Sequence, residues 1–294
     1  MANRLGIREG AFGAVSLCVF PQTVGPVLPY AMWRILDALS IDPAPYDPWK
    51  HYDLCVCFED HTTEVIDVKD YFTRSSMLWI NDEITGEWRH ERNQVGRFIN
   101  AGCKDISKQH VGRVFENVFG YPLDVDPRTY PGPIVRKANA NASHDGKLIE
   151  GPVSEAEYHR DRHEFVYCVH IDNIRDDVAT DFRLMWFGHL SPMLHRKERL
   201  VSARFSRGAR AAFLEPVATH FSASEIDAIG TLCREFGLDY GELDCLRDKG
   251  SGRIYVVDIN KTPASRLLGM STKDATEAVV CLATGFAEGF LVGL

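Results

Sequence analysis

The sequence predicts an α/β N-terminal region, residues 1–104, followed by an α+β part, residues 105–294, made of two subdomains. Three observations carry this. A strand–helix–strand pattern opens the chain. Two well-marked helical segments, 105–121 and 224–236, are separated by short strand-like runs. Near the end, apolar runs at 243–246 and 254–259 flank the turn-rich Asp248-Lys-Gly-Ser-Gly252 and read as a β-hairpin.

The elements follow in order. Residues 13–20 and 53–59 read as strands, with the apolar run 54–58 at the centre of the second. Between them, residues 31–39 have helical periodicity, and the three prolines of 43–49 mark a loop. Residues 81–93 are polar and charged and read as an exposed connection. In the segment 105–121, Asp105 or Ser107 can cap the start of a helix. Val111, Val114, Phe115 and Val118 form its apolar stripe, and Gly120 is placed to end it. After the proline-rich loop 122–133, residues 132–139 read as a strand and His144-Asp-Gly-Lys147 as a turn. Residues 164–171 and 181–189 read as further strands. The helix at 224–236 is capped by Ser222 or Ser224, and a last helix starts after Ser271 or Thr272.

Composition narrows the class. The 294 residues are 45% hydrophobic, enough for a large core, and the net charge is −8 from 33 basic and 41 acidic side chains. An acidic balance argues against a general nucleic-acid binder, which needs a basic face to neutralise phosphates. The eight cysteines (Cys18, Cys55, Cys57, Cys103, Cys168, Cys233, Cys245 and Cys281) are scattered and form no CxxC pair. They read as buried, reduced thiols of a cytoplasmic protein. No signal-peptide pattern opens the chain, and the apolar tail 278–294 is interrupted by Glu288 and glycines, so no membrane span is expected. That tail suits a homodimer contact as readily as a core.

The hairpin carries the chemistry most clearly. Side chains alternate along a strand, so Ile254, Val256, Asp258 and Asn260 share a face. If the loop closes symmetrically around Gly250, Asp244 sits opposite Val256 and joins that face; a one-residue bulge would move it to the other. Two carboxylates and an amide oxygen suit a hard cation such as Mg2+, which completes its shell with phosphate and water. The plainer alternative is that these residues make turns at strand ends.

Asp244, Asp258 and Asn260 also match, one by one, the C-terminal metal-binding hairpin of the ATP-grasp superfamily, and the chain resembles that superfamily over roughly residues 100–265. Five motifs occur in the family's order: Ser107-Lys108 opening a helix, Lys137 ending a strand, the hinge-like Cys168-Val-His-Ile-Asp172, the Asp-x-Arg signature Asp181-Phe-Arg183, and the hairpin. The Lys261–Arg266 stretch departs from the family's usual glycine-rich turn. The resemblance implies an ATP-grasp fold clamping ATP and Mg2+ between two subdomains. It implies Lys108 and Lys137 on the phosphates, and adenine near Val169, His170 and Ile171. Asp172 or Asp176 would hold the ribose. Arg183, Arg196, Arg204 and Arg207 are candidates for the γ-phosphate or a substrate carboxylate, and about half of these and the neighbouring basic residues are expected to be surface charges. Residues 139–146 stand where a phosphate-covering loop is expected, with small residues whose amides can approach phosphates.

The implied activity is ATP-dependent joining of a carboxylate, on a small molecule or a peptide, to an amine. A kinase of the same fold and a non-catalytic binding module are the alternatives. No GxxxxGK[ST], GxSxG or GxGxxG pattern is present. His159 and His163 are four apart but lie among arginines, which disfavour a cation and favour a solvated face.

Overall fold

The computed structural model describes residues 12, 14–20, 30–47, 50–58, 62–63, 78–81, 88–91, 95–141, 143, 145–203, 210–264 and 269–294. The first sheet is parallel and fully buried along its centre. Strands β1 (Leu17–Phe20), β2 (Ala44–Pro45), β3 (Tyr52–Cys57) and β6 (Val95–Ile99) lie in the order β2-β1-β3-β6. β1 and most of β3 are continuous apolar runs, buried on both faces: Leu17, Val19, Leu54 and Val56 on one, and Cys18, Phe20, Cys55 and Cys57 on the other. Helix α1 (Ala31–Leu39) supplies one cover through Met32, Ile35, Leu36 and Leu39, and Ser40 ends it in the left-handed region. The strand–helix–strand opening is therefore present, although β1 starts at Leu17 rather than at residue 13 and Ala44–Pro45 of the expected loop joins the sheet. The expected polar connection at 81–93 is corrected in part: β4 (Leu78–Asn81) and β5 (Trp88–Glu91) pair antiparallel.

The second layer begins at helix α2 (Lys108–Phe119). Ser107 Oγ accepts a hydrogen bond from His110 N, and Gly120, at φ 75°, closes the helix in a conformation glycine adopts without strain. Val111, Val114 and Phe115 are buried. Strands β7 (Pro133–Ala138), β8 (Lys147–Glu150) and β9 (Phe165–Val169) form a small antiparallel sheet in the order β8-β7-β9. Beyond the elements expected from the sequence, β8 is present, as is helix α3 (Glu155–Asp161), which has a Ser154/Glu157 capping box. His159 lies on α3 and pairs with Glu155, and His163 lies beyond its end.

The third layer is an antiparallel sheet in the order β13-β12-β11-β14-β15. Its strands are β11 (Val178–Phe187), β12 (Leu190–Leu200), β13 (Ala211–Pro216), β14 (Tyr240–Arg247) and β15 (Ile254–Asn260), with the short β10 (Ile174–Arg175) on β11. β12 and β13 are not legible as strands in the sequence. Helix α4 (Ala223–Glu235), capped by Ser222, and α2 pack on one side of this sheet, and Ile229, Leu232, Val111 and Phe115 share a core with Leu184, Leu243, Val256 and Ile259. Helix α5 (Thr272–Phe290) starts after Ser271. Its Leu282, Phe286 and Phe290 share a second core with β1, β3 and α1, so this apolar tail serves the interior. Among the described residues, no helix is long and apolar enough to cross a membrane, and all eight cysteines are free.

Candidate active site

The hairpin β14–β15 positions the acidic residues through a register that no symmetric loop gives. Arg247 pairs with Ile254, Leu246 with Tyr255 and Cys245 with Val256. Continued unchanged, that register would set Asp244 against Val257, whose side chain points away from Asp258. An irregularity between Asp244 and Cys245 shifts it by one, so that Asp244 faces Asp258 and Glu242 faces Asn260. The expected partner of Asp244, Val256, is thus corrected. The bulge does not remove Asp244 from the acidic face but puts it there.

Lys108, Lys137 and Arg183 reach this face from three elements. Lys108, at the start of α2, places Nζ 3.3 Å from Asp258 Oδ1 and 3.2 Å from Ala140 O. Lys137, at the end of β7, donates to Val257 O on the bulge at 2.9 Å. Arg183 on β11 stands in register opposite Asp244, contacts its carboxylate closely, and donates to Glu242 Oε1 at 3.0 Å. Strand alternation brings His195, Lys197 and Arg199 of β12 to the same face, opposite Arg183, Asp181 and Ala179, and Arg199 pairs with Asp181.

A cavity of about 260 Å³ lies between the small sheet and this face. Its apolar wall is Leu123, Val135, Cys168, Val169, Ile171, Leu246 and Val257; its polar end holds Lys108, Lys137, Arg183, Arg199, Asp181, Glu242, Asp244, Asp258 and Asn260. Asn141, Ser143, Asp145 and Gly146 of the expected phosphate-covering stretch also line it. Asp145 Oδ1 accepts from Ala138 N at 3.0 Å, which makes it a turn-former.

The electrostatics follow from burial. Burial pushes the Asp244 carboxyl up to about 6; Arg183 opposes this, but Glu242 and Asp258 add to it. Burial also works against the Glu242 carboxylate, yet Arg183, Lys197 and His195 hold it below the ordinary range. One guanidinium serves two carboxylates, and the shortfall lands on Asp244. Burial lowers His195 to about 4, so its ring is neutral at pH 7.

The structure thus gathers Lys108, Lys137, Val169, Ile171, Arg183, Asp244, Asp258 and Asn260 around one cavity. His170, Asp172, Asp176 and Arg196 are outside its lining. Asp172 caps the hinge turn, accepting from Ile174 N at 3.2 Å, and pairs with Lys249 at 3.7 Å. Asp176 and Asp177 have positive φ and make the tight β10–β11 turn. Arg196 is on the opposite face of β12, over the Phe213 ring and paired with Glu215 and Glu198. Arg204 and Arg207 lie outside the described residues. Glu242 and Arg199 belong to no motif. The signal for Arg199 is the period-two run His195, Lys197, Arg199, which becomes visible only if the segment is read as a strand.

The donors of Asp244, Asp258 and Asn260 are all hard oxygens on one face. Asn260 Oδ1 already accepts from Thr262 N at 2.9 Å, which fixes the amide's orientation. Among the described residues no three His, Cys, Asp or Glu side chains form a closed metal cluster. An open set of two carboxylates and one amide fits Mg2+, which keeps positions for phosphate and water.

No protein-family model and no curated protein matches the chain. Solved structures do. An ATP-grasp ligase, PsnB, complexed with a phosphomimetic variant of its minimal precursor, Mg and ADP, matches at TM-score 0.54 and 12% identity, over 94% of this chain and 98% of that one. D-cycloserine synthetase DcsG matches at 0.53 and 12%, over 94% and 99%. D-alanine–D-alanine ligase from Bacillus anthracis, complexed with ATP, matches at 0.53 and 12%, over 95% and 98%. The chain has the ATP-grasp fold.

Proposed function

We propose that the protein is an ATP-dependent ligase that joins a carboxylate to an amine. The observation that carries this is one cavity whose apolar wall leads into Lys108, Lys137 and Arg183 set against paired Asp244 and Asp258. Apolar walls suit adenine, and clustered cations suit a triphosphate. Every residue lining the cavity falls between Lys108 and Ala264, which supports placing the nucleotide site within residues 105–294, while residues 1–104 share a core with α5, β11 and β14. The three solved structures described above are ligases or a synthetase, and PsnB and the D-alanine ligase were captured with ADP and Mg or with ATP.

Asp244, Asp258 and Asn260 would hold Mg2+, which when bound supplies positive charge to phosphate oxygens. The chain's own residues do the rest. Leu123, Val135, Cys168, Val169, Ile171 and Leu246 enclose the base, and backbone groups at Val169–Ile171 orient it. Lys108 and Lys137 hold the phosphates. Arg183 neutralises charge that develops as the γ-phosphoryl group leaves ADP for an oxygen of the substrate carboxylate. An amine then attacks the acyl carbon of the acylphosphate and phosphate departs. No side-chain nucleophile is needed, and positioning with electrostatics provides the acceleration. The substrates are small molecules or peptides bearing an acid and an amine, and the free thiols and the requirement for ATP favour the cytoplasm.

The test is ADP release over a panel of acids with and without amines. A ligase gives ADP and phosphate that depend on both partners. ADP release that depends on a hydroxyl compound, with no amine requirement, replaces the ligase by a kinase. Absence of ADP release together with absence of Mg·ATP binding removes the enzyme reading.

A further inference from the structure

Lys108, Lys137 and Arg183 each keep one anchor apart from the proposed metal ligands. Lys108 touches Asp258 but also donates to Ala140 O. Lys137 donates to Val257 O. Arg183 contacts Asp244 but also donates to Glu242 Oε1 at 3.0 Å. Asp244 has two claimants, the guanidinium and the metal. If Mg2+ were bound by Asp244, Arg183 would be left with Glu242 as its remaining carboxylate partner.

Glu242 gives Arg183 that second partner. It lies two residues before Asp244 on the same face of β14, so one guanidinium nitrogen reaches both carboxylates. It is 6% exposed, deeper than Asp244 or Asp258, and Lys197 faces the same side from β12. Glu242 also stands in register opposite Asn260, which invites its assignment as a fourth metal donor. Its depth and its bond to Arg183 argue against that. Resting on the ligase reading, we propose that Glu242 is a positioning residue that retains Arg183 against the γ-phosphate when Asp244 is given over to Mg2+.

The test compares calorimetric binding of Mg·ADP and of Mg·AMPPNP, the β,γ-imido analogue of ATP, with Mn2+ half-saturation measured in ADP by electron paramagnetic resonance. In the wild type, Arg183 on the terminal phosphate should make the analogue bind roughly ten- to hundredfold tighter than ADP, the range one charge-assisted hydrogen bond supports. Glu242→Gln should lose this increment while Mg·ADP affinity and Mn2+ half-saturation stay within about twofold of wild type, the span expected when a metal site is left intact. Arg183→Gln and the double variant Arg183→Gln/Glu242→Gln guard against a folding defect, because the double removes both members of the buried pair. It should bind like Arg183→Gln alone. An increment retained in Glu242→Gln overturns the proposal. So does Mn2+ binding weakened in Glu242→Gln or in the double variant, which would make Glu242 a metal ligand. Wild type that binds neither nucleotide in Mg2+ removes the ligase reading and this inference with it, an outcome distinct from the other two.

Discussion

Replacing Asp244 with Asn should stabilise the metal-free protein while abolishing its use of Mg2+. Burial raises the Asp244 carboxyl from its ordinary 3.8 to about 6; Arg183 opposes the rise, and Glu242 and Asp258 reinforce it. The sign follows. Between about 4 and about 6 the folded state binds more protons than the unfolded state, so stability falls as pH rises through this window. Below it the carboxyl is protonated in both states and contributes no penalty. A gap of about two pH units, at about 1.36 kcal/mol each, makes a penalty on the order of 3 kcal/mol at pH 8. Asn has the same shape, keeps an oxygen for Arg183 and carries no charge. In EDTA, urea unfolding should therefore show Asp244→Asn more stable than wild type by up to about 3 kcal/mol at pH 8, with the difference closing toward pH 4. Stability sacrificed at a functional site is the general expectation. If Asp244→Asn is instead destabilised at pH 8 without metal, the Arg183 contact outweighs burial and repulsion, and the charge account of the site is wrong.

Three further predictions concern other groups. Lys137→Met removes an ammonium at the phosphate end of the cavity and should weaken Mg·ATP binding roughly ten- to hundredfold by calorimetry, the value of one charge-assisted bond. Asp248 in the hairpin turn accepts from Asp172 N at 3.0 Å and Ser251 N at 2.7 Å, so it ties the turn to the hinge. Burial alone would raise Asp248, but the Ser251, Asp172 and Gly250 bonds outweigh it and hold it below the ordinary range. Its contribution is therefore present above the ordinary 3.8 and lost as pH falls. Asp248→Asn should be less stable than wild type at pH 7, with a gap that narrows in acid melts, and should bind ATP more weakly. Finally, a Cβ on Gly289 of α5 would lie 2.2 Å from the backbone oxygen Phe187 O, which cannot turn aside, so Gly289→Ala should cost about 1–3 kcal/mol in urea unfolding, the usual range for overpacking.

Helices α2, α4 and α5 were legible because an apolar stripe runs between local start and stop signals: Ser107 and Gly120 bound α2, Ser222 opens α4 and Ser271 opens α5, whereas the short, charged α3 has its capping box but no such stripe. The acidic hairpin residues were legible because period-two alternation fixes a face whatever the partner. Their pairing was not. The loop is centred between Gly250 and Ser251, and a bulge beyond Cys245 adds one more residue of offset, neither of which leaves a compositional mark. β12 was hidden by its charge. His195-Arg-Lys-Glu-Arg199 is read from the sequence as a basic cluster with a phosphate-binding candidate, Arg196, and not as a strand, yet one face is neutralised by Asp181 on β11 and the other by Glu215 on β13. Such partners are distant in sequence and appear only once the strands are paired. Arg196 illustrates the consequence: one residue of alternation separates it from the cavity face that Lys197 and His195 share.

The most direct test of the central claim is thermal unfolding of the wild type and Asp258→Asn with ATP, with and without Mg2+. A ligand that binds only the folded state stabilises it by mass action, by about 2.7 kcal/mol at a hundred times its Kd. A rise in midpoint that needs both ATP and Mg2+ in the wild type, and that disappears in Asp258→Asn, is the predicted result. No rise with Mg·ATP in the wild type, or an equal rise in Asp258→Asn, would contradict a nucleotide–metal site at this hairpin.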